Sequence, residues 1–395
     1  MSRHVLYVNW DAFDSRYIGR VPTPVLDRLT TEGVLYRTAR AGIPTITPCM
    51  QTSIVTGAWP AVHGNTYRYF DQASGTVCQT GRENSAETIA EAAERSGLTT
   101  ASVQQFTLRG RGTYPDNPQH LYVEPGGGMA RRLQVAQEIL RSGPAPRFLA
   151  FYADDLDAIG HNHQPHPDYD HHAVASTDSQ RMARTLERLA EMDRMLGRLI
   201  EAMPSDTALV LTTDHGMVGF QGRSVLPEII AALRAAGLVP EVLATGMAPA
   251  TGTDLALTTV GLQVQLRWVD RPRQEVLAEA VGKMALAEWF GGVMDRAELD
   301  RRGAHPHFAD CLLWPREGFH CHVQDEVEFP PLGGHETPLA GTVPLLLWGS
   351  GVRQLGPVGG PVETISAAPA LAHLLGIRPP AQSTARSLPD ALQET

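Results

Sequence analysis

The sequence predicts an α/β fold: a doubly wound, mostly parallel sheet with helices on both faces and an inserted α+β cap. Short apolar runs at residues 5–10, 148–153 and 208–213 read as strands buried on both faces, and segments of helical period fall between them. Each run leads to a carboxylate, Asp11, Asp157 and Asp214, so one edge of the sheet collects acids where such folds place their chemistry. The alternation then breaks from about Pro227 to Pro331 and resumes near residue 343.

The elements follow in order. The strand at 5–10 ends on Asp11, and a helix over 23–33 has Thr23 as cap, Pro24 in its first turn and Gly33 as its stop. Pro44 to Gly64 is the stretch on which the rest is organised. A turn carrying Thr47 feeds an apolar run at 52–55 that reads as the first turns of a helix, halted by Gly57 and Pro60. A hydroxyl just ahead of a helix lies among unpaired N–H groups at the positive end of the dipole, where an alkoxide or anion is stabilised; the ordinary alternative is a simple N-cap. Asn84 with Glu87 opens a helix to Gly97, residues 99–106 alternate as a strand, and 129–140 are helical. Met182, Leu186, Leu189, Leu196 and Leu199 line one face of a long helix over 182–203. Within the irregular region, 262–269 reads as β, 274–289 as a helix and 311–314 as a further apolar run. The core resumes with a strand at 343–348 and closes with a helix at 367–375. The expected division is therefore a core of residues 1–226 and 332–395 and a specificity cap at 227–331.

With 395 residues, 43% hydrophobic and 19% charged, the chain can bury a large core. A net charge of −10 excludes the basic footprint of a nucleic-acid polymer binder. Lys283 is the only lysine, so no Walker-type phosphate loop is present. Cys49, Cys78, Cys311 and Cys321 are too sparse for a disulfide framework and form no Cys-x-x-Cys pair. The start, Met1 to His4, runs straight into the first strand, and no run is long enough for a membrane span, so a cytoplasmic protein without membrane attachment is expected.

Five separated features share one chemistry: Asp11, Thr47, Asp157-x-x-Gly160-His161, Asp214-His215 and Gly333-Gly334-His335. Carboxylate oxygen and imidazole nitrogen without thiolate suit divalent ions in a catalytic setting, zinc first and manganese as a candidate. In this order the features resemble the alkaline phosphatase superfamily, most closely its nucleotide pyrophosphatase/phosphodiesterase and phosphonoacetate hydrolase branch. Asp11-Ala12-Phe13 matches an Asp-Gly-Phe-like motif, and Ser53-Ile54-Val55-Thr56-Gly57, Pro60 and His63-Gly64 match the segment that follows the nucleophile. The resemblance covers most of residues 4–225 and returns near His335, leaving the cap aside.

That resemblance implies an alkaline phosphatase-like fold and two zinc sites, one of Asp157, His161 and His335 and the other of Asp11, Thr47, Asp214 and His215. It implies that Thr47 is the nucleophile, forming a phosphothreonine in the hydrolysis of a small phosphorylated substrate. A phosphonoacetate hydrolase-like cleavage of a C–P bond, a metal-dependent phosphomonoesterase and a metal-poor binding module are the alternatives. Two departures stand out. Arg68 occupies the place of an asparagine that contacts a substrate oxygen, and Thr47 is followed by Pro48-Cys49-Met50, where the family has an asparagine. Arg68 is expected to favour a more anionic substrate, and Arg109-Gly110-Arg111 stands where phosphonoacetate hydrolases carry a Lys-x-Lys that holds a carboxylate. His63 is expected in a structural turn, and His163 and His166 at the cleft mouth. Cys49 lacks the Cys-x-Pro-x-Arg pattern of a sulfatase, and a homo-oligomer is left open.

Overall fold

The computed structural model describes residues 4–323 and 329–394. The chain start read from Met1 and a piece of the predicted cap, residues 324–328, lie outside the described residues.

Eight strands form the central sheet: β1 (His4–Trp10), β2 (Val34–Arg40), β3 (Thr100–Val103), β4 (His120–Val123), β5 (Phe148–Ala153), β6 (Thr207–Thr212), β7 (Thr342–Gly349) and β8 (Gly356–Val358). Their order is β8-β2-β7-β6-β1-β5-β3-β4. β1 lies at the centre, in parallel register with β5 and β6, Val8 facing Phe151 on one side and Leu211 on the other. β7 alone runs antiparallel to its neighbours β2 and β6. Alternation along β1 divides the interior in two. Leu6, Val8 and Trp10 pack with the helices Pro24–Glu32, Met129–Ser142 and Asp178–Ala202, while Val5 and Tyr7 pack with Ile54, Val55, Ala90 and the helix Ala367–Leu375. Both faces of the strand are sealed, which is why its sequence is a continuous apolar run.

A second, mostly antiparallel sheet has the order Pro240–Val242, Leu255–Val260, Gln263–Trp268, Cys311–Pro315 and Phe290–Asp295. The helices Leu226–Ala235 and Gln274–Met284 cover one face of it around Leu257, Val264, Leu266 and Trp268. A small third sheet places Val218–Ser224 between Gly318–His320 and Leu332–Gly334, so the chain leaves the central layer and returns to it side by side. Ile43, from the loop after β2, sits among Met294, Leu299, Phe308 and Trp314 and joins the two layers. No described helix is long and apolar enough to cross a membrane.

Several boundaries differ from those the sequence predicts. The strand expected at 99–106 stops at Val103, because Gln104 takes φ 64 and residues Phe106–Leu108 wind into a short 3-10 turn. The helix expected from Asn84 starts at Ile89: Asn84 accepts from Ala86 N–H in a turn, and Thr88 with Glu91 forms the capping box. The helix expected at 274–289 ends at Met284. β2 and the strand Leu255–Val260 have no counterpart in the reading, since their arginines and threonines blur the apolar pattern.

One close approach aligns the layers at the site. A Cβ on Gly333 would overlap Gly160 O, so only glycine lets the strand Leu332–Gly334 touch the helix Asp155–His161. Gly333→Ala is expected to lower the unfolding free energy by about 1–3 kcal/mol in urea denaturation. Gly282→Ala, in open space within a helix, is expected to raise it by about 0.5–1 kcal/mol.

Candidate active site

The C-terminal ends of the central strands deliver the polar residues. Asp11 directly follows β1 and extends the ladder by one bond, its N–H to Ala153 O at 2.8 Å. Ala12 then takes φ 60, a left-handed conformation, and Phe13 N–H reaches Thr213 Oγ1 at 3.2 Å. Asp214 and His215 follow β6 in the same way. After β5 the chain enters the helix Asp155–His161, where Asp157 and His161 stand one turn apart on one face. Thr47 is the first residue of the helix Thr47–Thr56, and Ile46 is its N-cap. The helix therefore starts five residues earlier than the apolar run at 52–55 suggests, because Pro48 is accommodated in a first turn.

These residues meet. Thr47 Oγ1 is 3.1 Å from His215 Nε2, and that nitrogen is 3.4 Å from Asp11 Oδ1 and 3.7 Å from Asp214 Oδ2. Beside them Asp157 Oδ1 lies 3.3 Å from His161 Nε2 and 3.8 Å from His335 Nε2. The rings of His215 and His335 stack at 3.7 Å, within 3° of parallel, and tie the two groups together. Among the described residues, Asp11, Asp214 and His215, and likewise Asp157, His215 and His335, have ligand atoms close enough to hold a metal ion.

The surroundings fix how each group is presented. Nδ1 of His161 faces Gly333 O at 2.8 Å, that of His335 faces Thr45 O at 2.9 Å and that of His215 faces Gly216 O at 3.1 Å. Each Nδ1 is thereby assigned as the donor, which turns every Nε2 inward. Tyr152 donates to Asp11 Oδ2 at 2.5 Å, and Gln51 donates to Asp214 Oδ2 at 3.0 Å. Asp11 Oδ1 and Asp157 Oδ1 are buried without a hydrogen-bond donor. Bare carboxylate oxygens next to inward-facing imidazole nitrogens are the donor set of a divalent cation.

Charge responds accordingly. Burial first, and then Asp214 and Asp157, push the Asp11 carboxyl well above its ordinary range. For Asp157 burial acts upward, but the imidazoles of His161, His335 and His215 outweigh it and hold the carboxyl below the usual range. Burial acts downward on His161, yet Asp157 prevails and raises it to about 9. Burial lowers His215 to about 4, so its Nε2 is free of a proton at neutral pH.

The three arginines do not converge. Arg68 bonds Thr259 O at 3.3 Å and Gln79 Oε1 at 3.2 Å, joining the hairpin Arg68–Asp71/Thr76–Gln79 to the second sheet. Arg109 pairs with Glu124 at 3.1 Å. Arg111 is spent on Glu91 Oε1 and the carbonyls of Asn84 and Ala86, each at 2.7 Å, at the start of the helix Ile89–Arg95. The expected Arg109–Arg111 clamp is thus not assembled, because Gly110 at φ 73 and Gly112 at φ 80 turn the backbone between the two side chains and past them. His63 is buried against Ser53 Oγ at 2.8 Å in its turn, and His163 is exposed with its ring 5.6 Å from that of His161. Trp314 packs around Ile43, and Trp289 and Phe319 pack on the core of the second sheet. Sequence reasoning missed Tyr152 and Gln51. Tyr152 is hidden in an apolar strand, and Gln51, one turn from Thr47, gives no pattern that marks it.

A doubly wound α/β sheet whose strand tips gather three carboxylates and three imidazoles around a helix-terminal threonine defines a metallohydrolase-type scaffold. The chain belongs to the type I phosphodiesterase / nucleotide pyrophosphatase family, whose model matches residues 5–277, and so to the alkaline phosphatase superfamily. It is a hydrolase of the phosphodiesterase/pyrophosphatase kind. Among solved structures it resembles murine ectonucleotide pyrophosphatase/phosphodiesterase 5 in an inactive threonine-to-alanine form with AMP, at 17% identity and TM-score 0.71 over 99% of this chain and 100% of that one. The same murine protein without that substitution gives 16% identity and TM-score 0.70, and the human counterpart 17% and 0.68, each over 99% of this chain and 100% of the other. No curated protein matches the chain. His335 lies beyond the family match and joins the site only through the fold.

Two outcomes are expected. Tyr152→Phe should weaken divalent-ion binding about tenfold or more in chelator competition without changing the melting temperature in EDTA. Because His161 takes up a proton below about 9 in the ion-free protein, ion binding should release one proton near neutral pH. Affinity should then rise about tenfold per pH unit up to that value, which calorimetry in buffers of different ionisation enthalpy measures.

Proposed function

We propose that this protein is a two-metal hydrolase of phosphoric esters in which Thr47 is the nucleophile and a phosphothreonine the intermediate. The observation that carries the reading is the Thr47 hydroxyl, 3.1 Å from an inward-facing His215 Nε2 that also borders Asp11 and Asp214. His215 has one nitrogen to give, since Nδ1 is engaged with Gly216 O, and its nearer carboxylate is Asp11. This favours one centre of Asp11, Thr47, Asp214 and His215 and another of Asp157, His161 and His335. The oxygen and nitrogen donor set suits zinc, with manganese as the other candidate. The inactive murine relative, whose substitution replaces a threonine and which holds AMP, supports a nucleophilic threonine and a nucleotide-like substrate.

Divalent cations held by Asp11, Asp214 and His215 and by Asp157, His161 and His335 would supply the positive charge that makes the Thr47 hydroxyl acidic enough to attack and that offsets charge on the phosphoryl oxygens. The chain's own part is placement. Position one of the helix Thr47–Thr56 sets Thr47 at the positive end of the helix dipole. The Thr47 hydroxyl gives up its proton to solvent, Oγ1 bonds to phosphorus as the bond to the leaving oxygen breaks, and the leaving group takes a proton from solvent. Water then attacks phosphorus, the bond to Thr47 breaks, and the hydroxyl is restored.

The test is turnover of bis-p-nitrophenyl phosphate, p-nitrophenyl phosphate, a dinucleotide pyrophosphate and phosphonoacetate by the zinc-loaded protein and by Thr47→Ala. The diester or pyrophosphate should be turned over best, and Thr47→Ala should lower kcat/KM about 10³-fold or more. A Thr47→Ala protein within about tenfold of wild type would place the nucleophile elsewhere. Preference for phosphonoacetate would replace ester hydrolysis by C–P cleavage.

A further inference from the structure

Glu336, the residue after His335, has a side chain only 19% exposed, and its one ion-pair contact among the described residues is an imidazole. Its Oε1 lies 4.0 Å from His335 Nε2, and His161 and His322 are close enough to act on it electrostatically. The same Nε2 is 3.8 Å from Asp157 Oδ1, so the free nitrogen of His335 is flanked by two carboxylates at nearly equal distance. Oε2 accepts the His335 N–H at 3.2 Å, which folds the side chain back toward the site.

The second sheet closes on the same group. Gly261, at φ 55 in the turn between the strands Leu255–Val260 and Gln263–Trp268, leaves no room for a Cβ, which would overlap the Glu336 carboxylate. A two-residue turn favours glycine for its backbone alone. The contact adds that even asparagine, which tolerates that backbone, would push Glu336 aside.

We propose that Glu336 is a further oxygen ligand of the ion held by Asp157, His161 and His335, kept in place by the Gly261 turn. The proposal rests on the reading of those three residues as a metal centre. Two carboxylates and two imidazoles fill the position that a three-ligand catalytic zinc site leaves open. They suit a six-coordinate ion such as Mn2+, which keeps positions for water and substrate.

The experiment is chelator competition on the full-length protein with Mn2+ and with Zn2+, joined to electron paramagnetic resonance of bound Mn2+. Wild type should take up two ions and Asp157→Asn one. Glu336→Gln should bind its second Mn2+ about tenfold or more weakly, lose less for Zn2+ and show an altered Mn2+ spectrum. Glu336→Asp keeps the charge but withdraws the oxygens by one methylene, and it should behave like Glu336→Gln. Wild-type affinity and spectrum in Glu336→Gln, or in Glu336→Asp, overturn the proposal. A wild-type protein that binds no ion overturns the metal-centre reading and this inference with it, whereas two ions with an inert Glu336 overturn this inference alone. Melting in EDTA verifies folding, and if Glu336→Gln does not fold, Glu336→Asp decides by the same two readouts.

Discussion

The structure is governed by like charge gathered out of water. Asp11 and Asp214 stand against His215, Asp157 stands against His161 and His335, and Asp11 and Asp214 are essentially fully buried. Burial disfavours each charge and low dielectric sharpens their mutual repulsion; the Asp11 carboxyl is pushed up by burial first and by Asp214 and Asp157 after it. The chain is rich in arginine, yet each ion-pair contact of these three acids among the described residues is with a histidine. Neutral donors hold Asp11 Oδ2, through Tyr152, and both oxygens of Asp214, through Gln51 and the backbone N–H of His215, while Asp11 Oδ1 and Asp157 Oδ1 remain bare. Such a cluster is incomplete without cations, and the rest of the fold is arranged to keep it so.

The arrangement begins with strand geometry. β1 is covered on both faces, which fixes its register against β5 and β6 and places Asp11 level with the ends of both. Backbone carbonyls then do for the imidazoles what register does for the acids. Gly333 O, Thr45 O and Gly216 O each accept a hydrogen bond from an Nδ1, the first from the strand Leu332–Gly334 and the other two from loops that border the site. Ring orientation is therefore inherited from main chain, which is stiffer than side-chain contacts, and the Gly160–Gly333 approach ties the helix Asp155–His161 directly to the strand Leu332–Gly334.

Much of this was legible in the sequence because it follows from periodicity. Continuous apolar runs marked β1, β5 and β6, and the polar residues directly after them marked the edge where the site lies. The family follows from the order of short motifs, most of them in the first 225 residues. What was not legible depends on partners far apart in the chain. β2 carries arginines on its outer half and becomes a strand only beside β7, whose antiparallel direction no residue pattern encodes. Arg111 looked available because it is an arginine in a loop, and its true partners are carbonyls 25 and 27 residues earlier. Tyr152 and Glu336 were hidden for the same reason: one is an aromatic in a strand and the other a glutamate in a turn until the fold sets each against an aspartate or a histidine.

The central claim is that the acids and imidazoles form two separate cation centres that share a wall at the His215–His335 stack. Anomalous diffraction at the zinc edge from crystals grown with zinc tests it most directly. The account predicts two peaks, one bounded by Asp11, Thr47, Asp214 and His215 and the other by Asp157, His161 and His335. A single peak between the stacked rings, or peaks only away from these residues, would contradict it.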